Sequence, residues 1–213
     1  MTQQQQNEIR AANNQLIADQ GYTFNQYLPI LDDPKIRTLE EIKGRISVMN
    51  AVINIAFEAP THVIRDWIIE HKLTKYLSES EQLIINKPNP HLSEFEINSM
   101  MWYLESLWAL MWVVEMIDNL SINKPVGDNM VNLLPNLEEE ENNNKIIAIE
   151  KLRSELEIYT KLDYYYRLHW HCIDNRNRGI KSKVSEGVVY ERRKALEWVF
   201  NSDSQWDSVE MST

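Results

Sequence analysis

One short pattern, found four times, most constrains how this 213-residue chain can fold. A Ser or Thr is followed three residues later by Glu, so the hydroxyl can accept a hydrogen bond from the third helical N–H while the carboxylate accepts one from the cap N–H. An apolar-periodic run follows each copy, which indicates a helix start. The four pairs are Thr38/Glu41, Ser78/Glu81, Ser93/Glu96 and Ser154/Glu157.

The hydrophobic periodicity between these boxes extends the helical prediction to most of the chain. The predicted helices span residues 4–19, 39–57, 61–71, 79–86, 94–119, 154–175 and 186–200. A further short turn is predicted at 130–134, and 146–149 could form a strand or a helix. Period-two alternation is scarce, so strands should be minor or absent. The predicted fold class is all-α, a single-domain bundle of about six to eight helices around the Trp-rich helix 94–119.

Two polar segments are predicted to lie outside the core of this single domain, which spans residues 1–213. Residues 1–6 are glutamine-rich and are predicted to be disordered; they lack the basic start and apolar run of a signal peptide. The acidic run 138–141 is followed by three asparagines and cannot bury enough apolar surface to order itself. Residues 136–144 are therefore predicted to be a flexible acidic, Asn-rich loop.

Charge and cysteine content limit the partners that the protein is expected to have. Acidic residues outnumber basic ones 32 to 22, giving a formal charge of −10, which opposes binding to nucleic acid. The longest apolar run, 100–117, contains two glutamates and is predicted to be a buried helix, not a membrane span. The single cysteine, Cys172, fits a reducing compartment, so a cytoplasmic location is predicted.

Basic residues are concentrated between Arg176 and Lys194. We interpret this segment as a solvated basic loop that balances an acidic body. The alternative is a patch that binds an anion or docks a partner.

Helix 94–119 carries four candidate site residues on one stripe. They are spaced i, i+3, i+7 and i+10, and they are Glu105, Trp108, Trp112 and Glu115. The two carboxylates are interpreted as structural groups that accept hydrogen bonds from neighbouring cations or indoles. The alternative is an acid/base pair in an aromatic-walled pocket. The carboxylates would lie about 15 Å apart along the helix axis, too far to act on one bond.

A fifth candidate, Arg192, falls in the middle of the apolar face of helix 186–200, whereas Arg193 is expected on the opposite face. A charged arginine inside a core needs a carboxylate or an anionic ligand. The credible internal acceptors are Glu105 and Glu115.

The remaining candidates lie on helix 154–175, and they are Tyr166, Arg167, His169 and Trp170. His169 falls on the apolar face and is interpreted as a hydrogen-bonded core histidine. Asp163 and Arg167 fall on the opposite face as an i,i+4 pair. His169 and His171 point about 200° apart and cannot bind one metal ion from a regular helix. Neither a metal nor a cofactor is predicted.

Several motifs, in one order along the chain, resemble bacterial domain-of-unknown-function family 4272. They are Arg37 with Glu40–Glu41, Glu105–Ser106–Leu107–Trp108 continuing to Trp112, Tyr166–Arg167–Leu168–His169–Trp170, Glu191–Arg192–Arg193, and Trp206–Asp207. The resemblance covers nearly the whole chain and implies a helical bacterial protein without an established activity. It also favours Glu105 as the partner of Arg192, because an acid precedes the tryptophan pair in the family.

We predict a non-catalytic cytoplasmic module, of an accessory or immunity type, that binds a protein partner. The alternative is an enzyme, or a sensor of a small or anionic ligand, with an internal pocket around Glu105, Trp108, Trp112, His169 and Arg192. A sealed, fully paired cluster would favour the first function. A solvent-connected cavity with an unpaired Arg192 or His169 would favour the second.

Overall fold

The structure is a computed structural model that describes residues 1–122, 124–127 and 129–213. Its helices, numbered in chain order, are α1 Gln3–Asp19, α2 Leu39–Ala56, α3 Thr61–Glu70, α4 Glu79–Ile85, α5 Glu94–Val113, α6 Met130–Leu133, α7 Asn144–Ile147, α8 Glu155–Asn177 and α9 Glu186–Phe200. Three short 3-10 turns lie at Thr74–Tyr76, Asn89–His91 and Trp206–Ser208. Within the described residues there is no sheet, and an isolated bridge joins Lys35 to Asn201. The all-α prediction is confirmed.

All four predicted capping boxes form, at the starts of α2, α4, α5 and α8. A fifth box starts α1, where Thr2 caps the helix and Gln5 takes the place of the usual Glu. Gln6 is buried and donates to Asp33 at 3.2 Å. The structure thus places residues 3–6 in the first turn of α1, because a glutamine can close a capping box as a glutamate does. The disorder of residues 1–6 stays a prediction.

Helix α5 ends at Val113, six residues before the predicted end at 119. The chain turns at Glu115, whose φ of 60° is left-handed. The N–H of Glu115 donates to the carbonyl of Trp112, and that of Met116 donates to the carbonyl of Met111 at 2.9 Å. These two bonds form a Schellman motif, which usually has glycine at the left-handed position. The sequence has no glycine there, which is why the predicted end was wrong.

The same pair of backbone bonds closes four other helices. Glycine occupies the left-handed position after α1 and α8, at Gly21 and Gly179. A charged residue occupies it after α2 and α3, at Glu58 and Lys72. Three helices thus end in a conformation that a residue with a side chain adopts only at a cost.

The main helix contacts place α5 between α2 and α9, while α9 also packs on α8 and α8 on α1. Helix α8 is therefore covered from two sides. Asp163 and Arg167, predicted on its solvent-facing side, are both fully buried. That prediction was wrong because helical periodicity cannot show that α1 covers the second face.

Hydrogen bonds are present near both ends of residues 136–144, the segment predicted to be a flexible loop. The N–H of Asn136 donates to Glu141 at 2.9 Å, and the buried Asn143 donates to Ser47 at 2.9 Å. Residues 138–140 between them are exposed. The flexibility of 136–144 stays a prediction. The short segments beside it are both helical, as α6 and α7.

No helix in the described part of the chain has the length and apolar content needed to cross a membrane. Cys172 is buried on α8, and burial raises the pKa of its thiol to about 11. Such a thiol is mostly protonated at neutral pH and is a poor nucleophile.

Candidate functional site

The guanidinium of Arg192 on α9 meets the carboxylate of Glu105 on α5. Its Nε donates to Oε2 of Glu105 at 2.8 Å, and Nη2 lies 2.7 Å from the same oxygen. The other carboxylate oxygen of Glu105 accepts from the N–H of Val126 at 3.3 Å. Arg192 is fully buried and Glu105 is 7% exposed. Glu105, which the family resemblance favoured over Glu115 as the acceptor for Arg192, is the carboxylate that the structure pairs with it.

Arg192 also holds the chain that follows α5. Nη1 donates to the carbonyl of Ser121 at 2.6 Å, and Nη2 donates to that of Lys124 at 2.9 Å. The hydroxyl of Tyr165 lies 3.3 Å from Nη1 and donates to the carbonyl of Leu120 at 3.2 Å. Every nitrogen of this guanidinium therefore has an acceptor. The cluster is a closed network that joins α5, α8 and α9 to residues 120–121, 124 and 126.

The rest of the α5 stripe does not join this network. Trp112 is 5% exposed, and the guanidinium of Arg153 and the ammonium of Lys161 lie 4.7 and 5.4 Å from its ring centroid. Trp108 is only half-buried. Glu115 is exposed, because α5 has already ended, so the predicted stripe of two carboxylates does not form.

His169 of α8 belongs to a second cluster, which it forms with Arg193 of α9. Its Nδ1 lies 2.8 Å from Nη1 of Arg193, which can only donate, so Nδ1 is the acceptor. Burial, and then the positive charge of Arg193, lower the pKa of His169 to about 4. The guanidinium of Arg193 lies 4.8 Å from the ring centroid of Tyr166, and Arg193 pairs with Glu197 at 3.0 Å.

Arg193 is 3% exposed, so its predicted placement away from the core was wrong. The cover comes from the C-terminal segment, because Arg193 donates to the carbonyls of Met211 and Ser212 at 3.2 and 3.0 Å. Burial raises the pKa of Glu197, its ionic partner. Nothing in the local sequence of α9 signals a cover that lies 18 residues downstream.

A third cluster contains Arg167. Its Nε and Nη2 donate to the two carboxylate oxygens of Asp163 at 2.8 and 2.7 Å. Asn13 of α1 also donates to Asp163, at 2.8 Å, and Arg167 donates to the carbonyl of Pro29 at 3.2 Å. Trp170, the last candidate on α8, is half-buried. The nine predicted site residues therefore do not come together in one cluster.

These clusters have one type of contact in common. In the part of the chain that the structure describes, six arginines donate to main-chain carbonyls of loops or helix ends. Sequence reasoning singled out Arg192, Arg167 and their carboxylates but missed the carbonyl acceptors. The acceptors are Tyr76 for Arg45, Trp198, Asn201 and Ser204 for Arg37, Trp112 and Ile117 for Arg153, Pro29 for Arg167, Ser121 and Lys124 for Arg192, and Met211 and Ser212 for Arg193. These arginines anchor the connecting segments to the helices.

A large concavity with apolar walls lies elsewhere, between the C-terminal end of α2, the middle of α5, α6 and the segment 135–141. This acidic-rimmed groove has a volume of about 700 Å³ and is lined by Leu104, Leu107, Met130 and Leu134. Phe57 and Val131 also line it and are 59% and 71% exposed. Its rim carries Glu138, Glu139 and Glu141, and its basic residue Lys145 is paired with Glu141 at 2.7 Å.

No group of three or more His, Cys, Asp or Glu in the described ranges is arranged to hold a metal ion. The fold and these contacts define an all-α protein in which buried arginines tie loops to a helical bundle. The chain belongs to the family described as Domain of unknown function (DUF4272), whose family model matches residues 10–209. Comparisons with curated proteins and with solved structures gave no match.

Proposed function

We propose that this protein is a non-catalytic module that binds a partner protein in the acidic-rimmed groove. The observation that carries the proposal is the combination of exposed apolar side chains, Phe57 and Val131, with the acidic rim formed by Glu138 and Glu139. Exposed apolar patches bordered by polar residues are typical of protein-binding surfaces. We further propose that the module works in the bacterial cytoplasm, in an accessory or immunity-type role.

The charges of the groove define the chemistry of its partner. Of the four charged residues that line it, three are acidic, and the one basic residue is already paired with Glu141. A partner segment with Lys or Arg beside its apolar side chains would gain complementary contacts and faster association. An amphipathic helix that is apolar on one face and basic at its borders fits a concave groove of this kind.

The closed state of the Arg192 network also supports a non-catalytic role. The enzyme or sensor alternative needs an internal pocket with an unpaired Arg192 or His169. Arg192 instead has a carboxylate and two carbonyls as acceptors, and His169 accepts from Arg193. These contacts are those of structural groups.

The test is site-specific photo-cross-linking in the native host. A photoreactive amino acid at position 131, in the groove, should capture a partner peptide that contains apolar and basic residues. The matched control is position 83, because Leu83 is 66% exposed but does not line the groove. The same captured peptide at both positions would contradict the proposal.

Charge reversal then tests the rim. The double variant Glu138→Lys/Glu139→Lys should weaken binding of a synthetic copy of the captured peptide about tenfold or more at low salt, and less at high salt, because salt screens exposed charges. The control variant Glu58→Lys reverses an exposed acid that does not line the groove. Equal binding by all three proteins would show that the rim does not select the partner.

A further inference from the structure

A second cleft, with a volume of about 550 Å³, lies between α1, α8 and the chain that follows α5. Trp112, Leu16 and Leu156 give it apolar walls, and its lining also includes several amides and hydroxyls. Among the described residues that line it, Lys161 is the only basic one and Glu157 the only acidic one. Clefts of this size and composition are typical of small-molecule sites.

The ammonium of Lys161 has a second cation, and not a carboxylate, beside it. Its Nζ lies 5.4 Å from the ring centroid of Trp112, and the guanidinium of Arg153 lies 4.7 Å from the same centroid. Within the described ranges, Lys161 donates no hydrogen bond and forms no ion pair. The side chain is nevertheless half-buried, so it has lost part of its contact with water.

Glu157 occupies the position from which a helical carboxylate ordinarily pairs with a lysine, four residues before Lys161. Its Oε2 instead accepts from the N–H and the hydroxyl of Ser154, at 3.0 and 2.7 Å. Its Oε1 accepts from Arg153 at 3.3 Å. The capping box of α8 and Arg153 thus take the carboxylate that would otherwise hold Lys161 in its charged form.

These surroundings favour the neutral amine of Lys161. Burial, and then the positive charge of Arg153, lower the pKa of its ammonium. A lysine that is desolvated, or that lies beside another cation, is a stronger nucleophile because more of it is unprotonated at neutral pH. Its Nζ is not enclosed by protein atoms, and the side chain lines the cleft. A molecule in the cleft can therefore reach the amine.

We propose that Lys161 binds a small aldehyde with an apolar body by forming an imine with it in this cleft. The lone pair of the neutral Nζ attacks the carbonyl carbon, and a proton moves from nitrogen to oxygen to give a carbinolamine. Loss of water then leaves a C=N bond. Addition of water reverses the reaction, and nothing is oxidised or reduced. Trp112, Leu16 and Leu156 provide apolar surface for the rest of the molecule.

The lining favours a neutral carbonyl compound over an anion. An anion such as phosphate is usually held by several charge-assisted hydrogen bonds. This cleft offers one ammonium, with the carboxylate of Glu157 in the same lining. An aldehyde needs the amine and an apolar surface. The cleft shares no lining residue with the acidic-rimmed groove, so this proposal and the proposed protein partner can fail independently.

The experiment traps the imine with sodium cyanoborohydride, which adds hydride to the imine carbon and leaves a stable secondary amine. The full-length protein is incubated with benzaldehyde at neutral pH, and the modified lysines are identified by peptide mass spectrometry. Lys161 should be labelled about tenfold or more faster than the exposed Lys151, because a lower pKa gives a larger neutral fraction. The rate at Lys161 should saturate as benzaldehyde is increased, because the aldehyde first occupies the cleft.

Two variants test the amine and the cleft separately. Lys161→Arg keeps the positive charge but cannot form an imine, so the fast labelling should disappear. Leu16→Asp places a carboxylate in the wall of the cleft, which should stabilise the ammonium and slow the labelling of Lys161 about threefold or more. The matched control is Leu83→Asp, at a leucine that is also exposed but does not line the cleft, and it should react as the wild type does.

Three results would overturn the proposal. Labelling of Lys161 no faster than that of Lys151 would show that its amine is not activated. A rate that rises linearly with benzaldehyde, without saturation, would show a reactive amine that has no binding site beside it. Equal slowing by Leu16→Asp and Leu83→Asp would show that the effect is not specific to the cleft.

Discussion

Arg192 and Glu105 form a buried ion pair across the interface between α9 and α5, with Nη2 and Oε2 2.7 Å apart. The pair is 87 residues apart in sequence and connects the central helix to the last one. Removing one member leaves the other charge buried alone, which typically costs about 3–5 kcal/mol. We therefore expect Arg192→Ala and Glu105→Ala each to lower the free energy of unfolding by about that amount, measured by urea denaturation.

The double variant should lose much less than the sum, because both charges are then absent. Arg192→Ala should be the more damaging single change, since it also releases the carbonyls of Ser121 and Lys124. The exposed pair between Arg176 and Glu186 is the matched control, and Arg176→Ala should cost about 1 kcal/mol or less. If the two losses in unfolding free energy were strictly additive, Arg192 and Glu105 would have no coupling free energy.

The left-handed helix end at Glu115 predicts a stabilising substitution. Its φ of 60° is costly for a residue with a Cβ and free for glycine. Glu115→Gly should raise the free energy of unfolding by about 0.5–1 kcal/mol, after the greater flexibility of the unfolded glycine is subtracted.

Gly21→Ala and Gly179→Ala test the same effect in the opposite direction, because each adds a Cβ to a residue with a left-handed backbone conformation. An added Cβ would meet no atom within 4 Å at either position, so only the backbone conformation should matter. Each should destabilise the protein by about 1 kcal/mol. If Glu115→Gly destabilises to the same extent, the left-handed conformation is not what limits stability at this helix end.

His169 predicts a pH dependence of stability. Its pKa is about 4 in the folded protein and about 6.5 in the unfolded chain, so the unfolded state binds the proton first. The neutral form thus contributes stability above pH 6.5, and this is lost as the pH falls towards 4, by up to about 1.4 kcal/mol per pH unit. The slope should be smaller in His169→Gln and unchanged in His91→Gln, an exposed control. Burial also lowers the pKa of His171, so some slope should remain.

The two central tryptophans should differ in their contribution to stability. Trp112 is 5% exposed, and Trp112→Ala should cost about 3–5 kcal/mol. Trp108 is half-buried, so Trp108→Ala should cost clearly less. Thermal denaturation of both variants gives the comparison, and equal losses would place Trp108 in the core as firmly as Trp112.

The acidic segment predicts where a protease cuts first. Residues 138–140 are exposed, whereas Asn143 is hydrogen-bonded to Ser47. Limited proteolysis with a Glu-specific enzyme should cleave at 138–140 before the other exposed glutamates, and the two fragments should stay associated through the α2–α5 and α5–α9 contacts. Separation of the fragments on gel filtration would indicate two domains.

The helix starts were predictable because each depends on residues within one turn of the chain. The capping box of α2, for example, lies wholly within Thr38–Glu41. The pair of Arg192 with Glu105 was predictable for a different reason, since a guanidinium on an apolar face needs a carboxylate and few are internal. The end of α5 was not predictable, because Glu115 adopts a conformation for which glycine is the usual sign.

The burial of Arg193 and Arg167 could not be read from the sequence. Periodicity assigns one face of a helix to the core and leaves the other to solvent. The second faces of α8 and α9 are covered by α1 and by residues 211–212, and nothing in the sequence of either helix encodes that cover. The contact between Arg45 and Trp206 escaped prediction for the same reason, since it joins α2 to the 3-10 turn after α9.

The arginine anchors have a consequence for how this chain can change during evolution. Their acceptors at Ser121, Lys124, Ile117 and Met211 are main-chain carbonyls, which are chemically the same in every amino acid. Substitutions at these loop positions leave the acceptor in place, whereas loss of the arginine removes the anchor. The two sides of each contact should therefore differ in the substitutions that they tolerate. The loop residues that provide the carbonyls should vary freely, whereas the arginines that donate to them should be retained.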